Sequence, residues 1–506
     1  MQHLYIPITL LFLLSYSVVQ SQYSGNPRLQ NLASAISLEY TKPVAHQKKE
    51  AGMFLLRHLE SHRSYSYIWK DSCDARVPFE ELSFTNYPTA LRAFAHLKDS
   101  LPIRPQPVSY SDADTIRSDD MLINIDLAFS QWQTRPWSST YSEEVFYEYI
   151  LPYRSVGEPL QDWRKDYLWY FREVPERVGN TRDPVAVMAE VMSYVPRFDY
   201  VSSRKEPLPL LGPKQLIFRE QGACPDLANL MVFAGRALGV AVTYDFTPHW
   251  AASSNRHMWN TVVDRSGTHI PFDSYRFYNP AEHRRLGKAF RFTYSTQPQS
   301  LAAQVPFDSI PPGFLRNSHL LDVTSEYQPT ASLEYTLPAS KSKVAYLNVF
   351  NTGSWRVTDW GKAVPGKPGT YSFSNLGTAL VYLPSVYHNG GMQWASYPVR
   401  IQKDGRTQLL KPSATQRCRP VFSRANEVQT SYEDHNPQEF LEGESYTLYY
   451  WEGDWKMHQS TTARNASLAF TEVPIGGLYR LEPKGRPDHW ARVFTFDPET
   501  YEISWY

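Results

Sequence analysis

The chain has 506 residues, 51 basic against 51 acidic side chains and a hydrophobic fraction of 42%. That balance excludes the cationic excess or stripe by which nucleic acid is bound, and gives no reason to expect a strongly charged substrate. The length suits about three domains, each with its own core, and three cysteines are too few to make disulfides the main support.

The apolar run Leu4 to Leu14, followed by Val19-Gln20-Ser21, reads as a secretory signal over residues 1–21. It is too short and interrupted to span a bilayer comfortably. Export to the periplasm, the cell surface or the medium is therefore expected, and no cysteine follows the run to take a lipid anchor. Residues 22–200 read as a mainly helical region. Ala51, Phe54, Leu55, His58 and Leu59 keep helical spacing, as do Leu122, Ile125, Phe129 and Trp132, with Ser118 where a cap would stand. Glu143 and Glu144 open a helix that Pro152 must end, and Asp183-Pro184 is a cap followed by a first-turn proline. The aromatic stretch Trp163 to Phe171 reads as packing rather than as a groove wall. Asp112, Asp114, Asp119 and Asp120 lack calcium-loop spacing.

Residues 201–320 hold the chemistry. In Gln221-Gly222-Ala223-Cys224-Pro225-Asp226-Leu227, glycine permits a turn and the cysteine falls where a helix begins. Proline suits the first helical position and aspartate the first turn. Leu227, Met231, Ala234 and Leu238 continue the stripe until Gly239. A thiol at a helix N-terminus has its thiolate stabilised, as a nucleophile needs. A strand over 240–244 and a turn at Thr247-Pro248 follow. A strand from His257 through Val263, a turn at Asp264-Arg265-Ser266-Gly267 and a return strand through Asp273 then make a hairpin. A short loop sets position 257 opposite a residue at or next to 273. Nucleophile, base and orienting carboxylate are thus available as Cys224, His257 and Asp273. His249 and His269 flank the hairpin as alternative bases.

A linker around Pro311-Pro312-Gly313 leads into short alternating runs, read as two β-rich domains over 321–415 and 416–506. Leu380 to Leu383, the turn at Asn389-Gly390-Gly391, Tyr446 to Trp451 and a closing hairpin from Val493 to Tyr506 mark them. Their Trp and Tyr content suits small sandwiches and leaves glycan binding open. No metal or cofactor motif occurs, so no cofactor is expected. Cys73 and Cys418 either pair after export or are two separate thiols.

Gly222-Ala223-Cys224, His257-Met258-Trp259-Asn260 and Pro271-Phe272-Asp273, in this order, resemble the transglutaminase-like superfamily of papain-type thiol enzymes, in a secreted bacterial multi-domain branch. Arg236-Ala237-Leu238-Gly239-Val240 and Asp245 to Trp250 are similar to it too, with a weaker echo at Tyr149 to Arg154. The resemblance implies an α+β fold: a helical N-terminal region, a core helix packed on an antiparallel sheet, and C-terminal antiparallel β-domains. It implies Cys224 as nucleophile, His257 as base and Asp273 as its partner. Two departures stand out. Arg256 precedes the histidine where many members have glycine, and Phe198-Asp199-Tyr200-Val201 lacks the tryptophan that cross-linking members use for the oxyanion. Gln221 is the candidate second oxyanion donor, and Trp250, Arg256, Trp259 and Asn260 are candidates to border the substrate cleft. The implied partner is a peptide or other amide-bearing molecule, cell-wall or extracellular material included. Hydrolysis is favoured over cross-linking to a lysine amine, and a non-catalytic binding or scaffold protein is the alternative.

Overall fold

The computed structural model describes residues 25–201, 210–251, 255–337, 340–425, 427–428, 438–485 and 490–506. The segment read as a signal, 1–21, lies outside the described residues. No helix among the described residues is long and apolar enough to cross a membrane. The fold is α+β, and the chain divides into two compact units. One comprises the described residues up to Asp245 with Met258–Tyr278 and Phe292–Thr296; the other comprises Phe246–His257, Asn279–Arg291 and Gln297–Tyr506.

The first unit opens with α1 (Pro27–Glu39) and α2 (His46–Leu59). Asn26 caps α1 by accepting from Arg28 and Leu29 N–H. Strands β1 (Arg63–Lys70) and β2 (Arg76–Val77), helix α3 (Tyr87–Ser100) and β3 (Arg104–Ser111) follow. The strands form a sheet ordered β2-β1-β3 that interrupts the helical region. Its signal was masked because β1 alternates polar with aromatic residues and β3 carries Pro105 and Pro107. Prolines are tolerated there because β3 is an edge strand.

Helix α4 (Ser118–Thr134) starts one residue earlier than a Ser118 cap would place it; Arg117 holds the cap position and pairs with Asp120. Then come α5 (Glu143–Tyr149), capped by Ser142, α6 (Arg164–Tyr170), and α7 (Pro184–Met192), capped by Asp183 as expected. Leu29, Leu55, Ile125, Phe129, Phe146 and Tyr294 belong to one apolar core. Next are α8 (Pro213–Arg219), α9 (Cys224–Ala237), β4 (Val242–Thr247), β5 (His257–Val263) and β6 (His269–Phe272). Strands β4, β5 and β6 are neighbours in that order.

Every residue of α9 from Asp226 to Ala237 is buried, and Gly239 (φ +76°) stops the helix as expected. Trp163 and Tyr167 pack on Phe233 of α9 at 4.7 and 5.7 Å between ring centroids, whereas Trp169 in the same stretch is 65% exposed. Buried Arg164 donates to the carbonyls of Ile150, Leu151, Pro152 and Arg236, so the loop after α5 is fastened to the end of α9.

The second unit is β-rich. One antiparallel sheet of eight strands runs through Thr330–Thr336, Val344–Asn351, Ser354–Ala363, Thr370–Gly377, Leu380–His388 and shorter partners. A five-stranded sheet holds Ser445–Trp451, Trp455–Thr462, Tyr479–Pro483, Val493–Phe496 and Ile503–Trp505. Asn389-Gly390 makes the expected hairpin turn, pairing His388 with Gly391, and the closing hairpin pairs Phe494 with Trp505. The inward faces form aromatic and aliphatic cores around Leu347, Phe373 and Tyr382, and around Phe422, Leu448 and Phe494. All three cysteines are free thiols.

Candidate active site

The cysteine peptide is built from its backbone outward. Gln221 and Gly222 pair in parallel with Asp199 and Tyr200. A Cβ on Gly222 would sit 2.7 Å from Cβ of Asp226, so only glycine lets the strand pass this close to the helix start. Ala223 is the N-cap, Cys224 the first helical residue and Pro225 the second, one position later than expected. The buried Asp226 carboxylate accepts the Ala223 N–H at 2.9 Å and the Leu211 N–H at 3.0 Å. Cys224 N–H is one of the helix-start donors with no intrahelical acceptor, and Cys224 Sγ lies 3.7 Å from the carbonyl oxygen of Met258.

Burial pushes the Cys224 thiol up to about 11, and the charges of Asp273 and Asp226 push the same way. The helix N-terminus was expected to stabilise the thiolate; burial works against it and favours the neutral thiol. A linkage follows. The folded state holds this proton more tightly than the unfolded chain, so the stabilisation is present below pH 9 and is lost as pH rises from 9 to about 11. Chemical denaturation across that window should show a loss of about 2–3 kcal/mol that Cys224→Ala abolishes.

The hairpin pairs Asn260 with Phe272 and Val263 with His269. With Val263 opposite His269, the loop holds the five residues 264–268. That is one residue more than the four-residue turn read from the sequence. Asp264 Oδ1 accepts from Ser266 and Thr268 N–H, which draws Thr268 into the turn. Asp273 follows β6, and its Oδ1 accepts the N–H groups of Tyr275 and Arg276 at 2.8 and 3.0 Å, which fixes the carboxyl on its own turn. His257 stacks on buried Trp250, ring centroids 5.9 Å apart and planes at 25°. Burial lowers His249 to about 4, reinforced by Arg356 and Arg256, so it is neutral at working pH. His269 sits at the opposite end of β5 from His257, within 3.3 Å of Thr261 Oγ1.

The sequence profile of the transglutaminase-like superfamily matches residues 172–274, the stretch that contains α9 and the hairpin. Residues 172–274 form a transglutaminase-like domain. No curated protein matches the chain. Among solved structures, a proposed cysteine protease from Cytophaga hutchinsonii is 17% identical over 23% of this chain, with a TM-score of 0.18. The match spans 39% of the length of that protein. Red sea bream transglutaminase is 9% identical over 86% of this chain and 76% of its own, with a TM-score of 0.22.

Within the transglutaminase-like domain, three residues expected to border a cleft are instead internal. Trp250, Trp259 and Asn260 are 2%, 1% and 0% exposed. Trp250 backs His257, and its carbonyl accepts from Asn351 Nδ2 at 2.9 Å. Asn260 Nδ2 donates to the carbonyls of Ala228 in α9 and Thr243 in β4, at 3.0 and 3.2 Å, stapling the cysteine helix to the sheet. Their polar or aromatic character suggested a surface role, yet the same properties serve a buried frame. Asn260→Ala should lower stability by about 1–3 kcal/mol, read as a shifted urea midpoint at unchanged slope. Arg256 is exposed. Gln221 Nε2 donates to the Tyr87 hydroxyl at 3.0 Å, leaving one amide hydrogen for another acceptor. Sequence reasoning passed over Tyr87, which no motif announces; Tyr200, from the segment that lacks the oxyanion tryptophan, is exposed and pairs across from Gly222.

Proposed function

We propose that this protein is an exported thiol enzyme that cleaves peptide or related amide bonds through Cys224, His257 and Asp273. The observation that carries the reading is the cysteine peptide: a thiol at the first position of a buried helix, with its sulfur against the Met258 carbonyl next to His257. His257 takes the thiol proton as sulfur attacks the carbonyl, and Asp273 steadies the imidazolium. Collapse of the adduct breaks the C–N bond, the amine leaves with that proton, and an acyl thioester remains on Cys224. Water, deprotonated by His257, then breaks the thioester and releases the acid. The Cys224 N–H and Gln221 are the proposed oxyanion donors. The apolar run at the N-terminus supports export.

The burial of Cys224 favours a second reading, a core kept for its shape, because it disfavours the thiolate. Amine release from a peptide library, with and without a lysine-type acceptor, separates the outcomes. Free amine without a new amide supports hydrolysis. A new amide supports cross-linking, and no Cys224-dependent change in either supports the scaffold.

A further inference from the structure

Helix α3 does not bury its apolar face. Tyr87, Ala90, Leu91 and Phe94 fall at i, i+3, i+4 and i+7, the stripe that a surface helix turns to a core. Only Ala90 is buried and Leu91 is 51% exposed. All four instead line a cavity of about 440 Å³, the size of a small-ligand pocket. Its other walls include Trp69 and Phe79, whose rings lie 4.6 and 4.9 Å from that of Phe94. Four charged residues line it, two basic and two acidic: Arg219 Nε and Nη2 donate to the two carboxylate oxygens of Glu81 at 2.8 and 2.7 Å, and Arg76 and Glu80 are the others. The rings of Trp69, Phe79, Tyr87 and Phe94 make one aromatic wall of the cavity, which favours apolar carbon.

Two hydrogen bonds join this cavity to the cysteine peptide, one on each side of the thiol. Tyr87 receives the bond from Gln221, three residues before Cys224, and Leu211, also in the lining, donates to Asp226, two residues after it. We infer that the cavity is a substrate subsite, taking a large apolar or aromatic side chain of an extended peptide held for acylation of Cys224. The inference rests on the acyl-transfer reading for its peptide, and on the cavity for its side-chain preference. It makes the N-terminal β1–β3 segment with α3 part of substrate recognition.

The test needs no turnover. A short blocked peptide of glycine, serine and glutamine with one central phenylalanine, and its alanine counterpart, are titrated against the Cys224→Ala protein by fluorescence anisotropy. The phenylalanine peptide should bind at least about tenfold tighter. Leu91→Trp, which fills the cavity from an exposed helix position, should erase the difference, and Leu91→Asp should do the same by charging the wall. Circular dichroism checks that both variants fold. Equal binding of the two peptides, or a preference that survives both substitutions in folded protein, overturns the subsite. Failure of the acyl-transfer reading shows differently: the preference holds, yet the unmodified protein releases no amine from either peptide.

Discussion

Cys224→Ala is expected to lower amide-bond cleavage by about 10⁴–10⁶-fold, to the background rate, with little change in fold. The side chain is part-buried at the first position of α9, and its sulfur makes a long contact to Met258 O. Alanine keeps the helix start, whose support comes from Asp226 and the Ala223 N–H. His257→Ala should cost nearly as much, and the double variant no more than either alone, because residues that act as a unit are not additive. The raised thiol pKa sharpens this expectation. A neutral thiol needs its base at the moment of attack, so rate loss in His257→Ala should be partly recovered as pH rises toward 11. Progress curves from pH 6 to 11 on both variants check this; a His257→Ala profile parallel to that of the unmodified protein would remove the base from the mechanism.

The largest stability effect is expected from Asp112→Ala, about 3–5 kcal/mol and roughly 10 °C in Tm. Asp112 and Arg154 form an ion pair with side chains 0% and 1% exposed. Asp112 also accepts from Ser64 Oγ at 2.8 Å and from the Tyr153 hydroxyl at 2.9 Å. Removing the carboxylate strands the Arg154 guanidinium in the interior together with those two donors. Glu158 is near and its charge reaches Arg154, but its carboxylate oxygens are held by the Ser155 and Val156 N–H groups. The carbonyl of Arg154 receives Arg236 of α9, so the loss reaches the cysteine helix. Lys48 and Asp126 form an ion pair whose side chains are 33% and 47% exposed, and breaking that pair should change stability by less than about 1 kcal/mol. Thermal melts of the two aspartate-to-alanine variants side by side read the contrast.

The cysteine helix and the hairpin were legible because their signals are local. Proline and aspartate after Cys224, glycine at its end, and two apolar runs around Asp264-Arg265-Ser266-Gly267 each specify a nearby backbone choice. The β1–β3 sheet was not legible, because Pro105 and Pro107 read as breakers until the order of strands shows β3 at an edge. The turn is one residue longer than read, since the bond from Thr268 N–H to Asp264 decides it and sequence does not display that bond. Trp250, Trp259 and Asn260 were assigned to the surface of a cleft because motif residues invite a functional reading. Which side of a strand faces inward depends on what packs there, and β5 is buried from Trp259 to Val263. The thiol pKa was misread for the same reason: the helix N-terminus is visible in sequence, whereas the burial that works against it is tertiary.

Intact-protein mass measurement after rapid acid quench, on protein mixed with a peptide library, addresses the central claim most directly. The account predicts a transient adduct on Cys224 with the mass of the acyl fragment. It should form with release of the amine, be cleaved by hydroxylamine as a thioester is, and be absent from Cys224→Ala. Amide cleavage that proceeds unchanged in Cys224→Ala, or cleavage with no adduct at Cys224 under conditions that slow its hydrolysis, would contradict it.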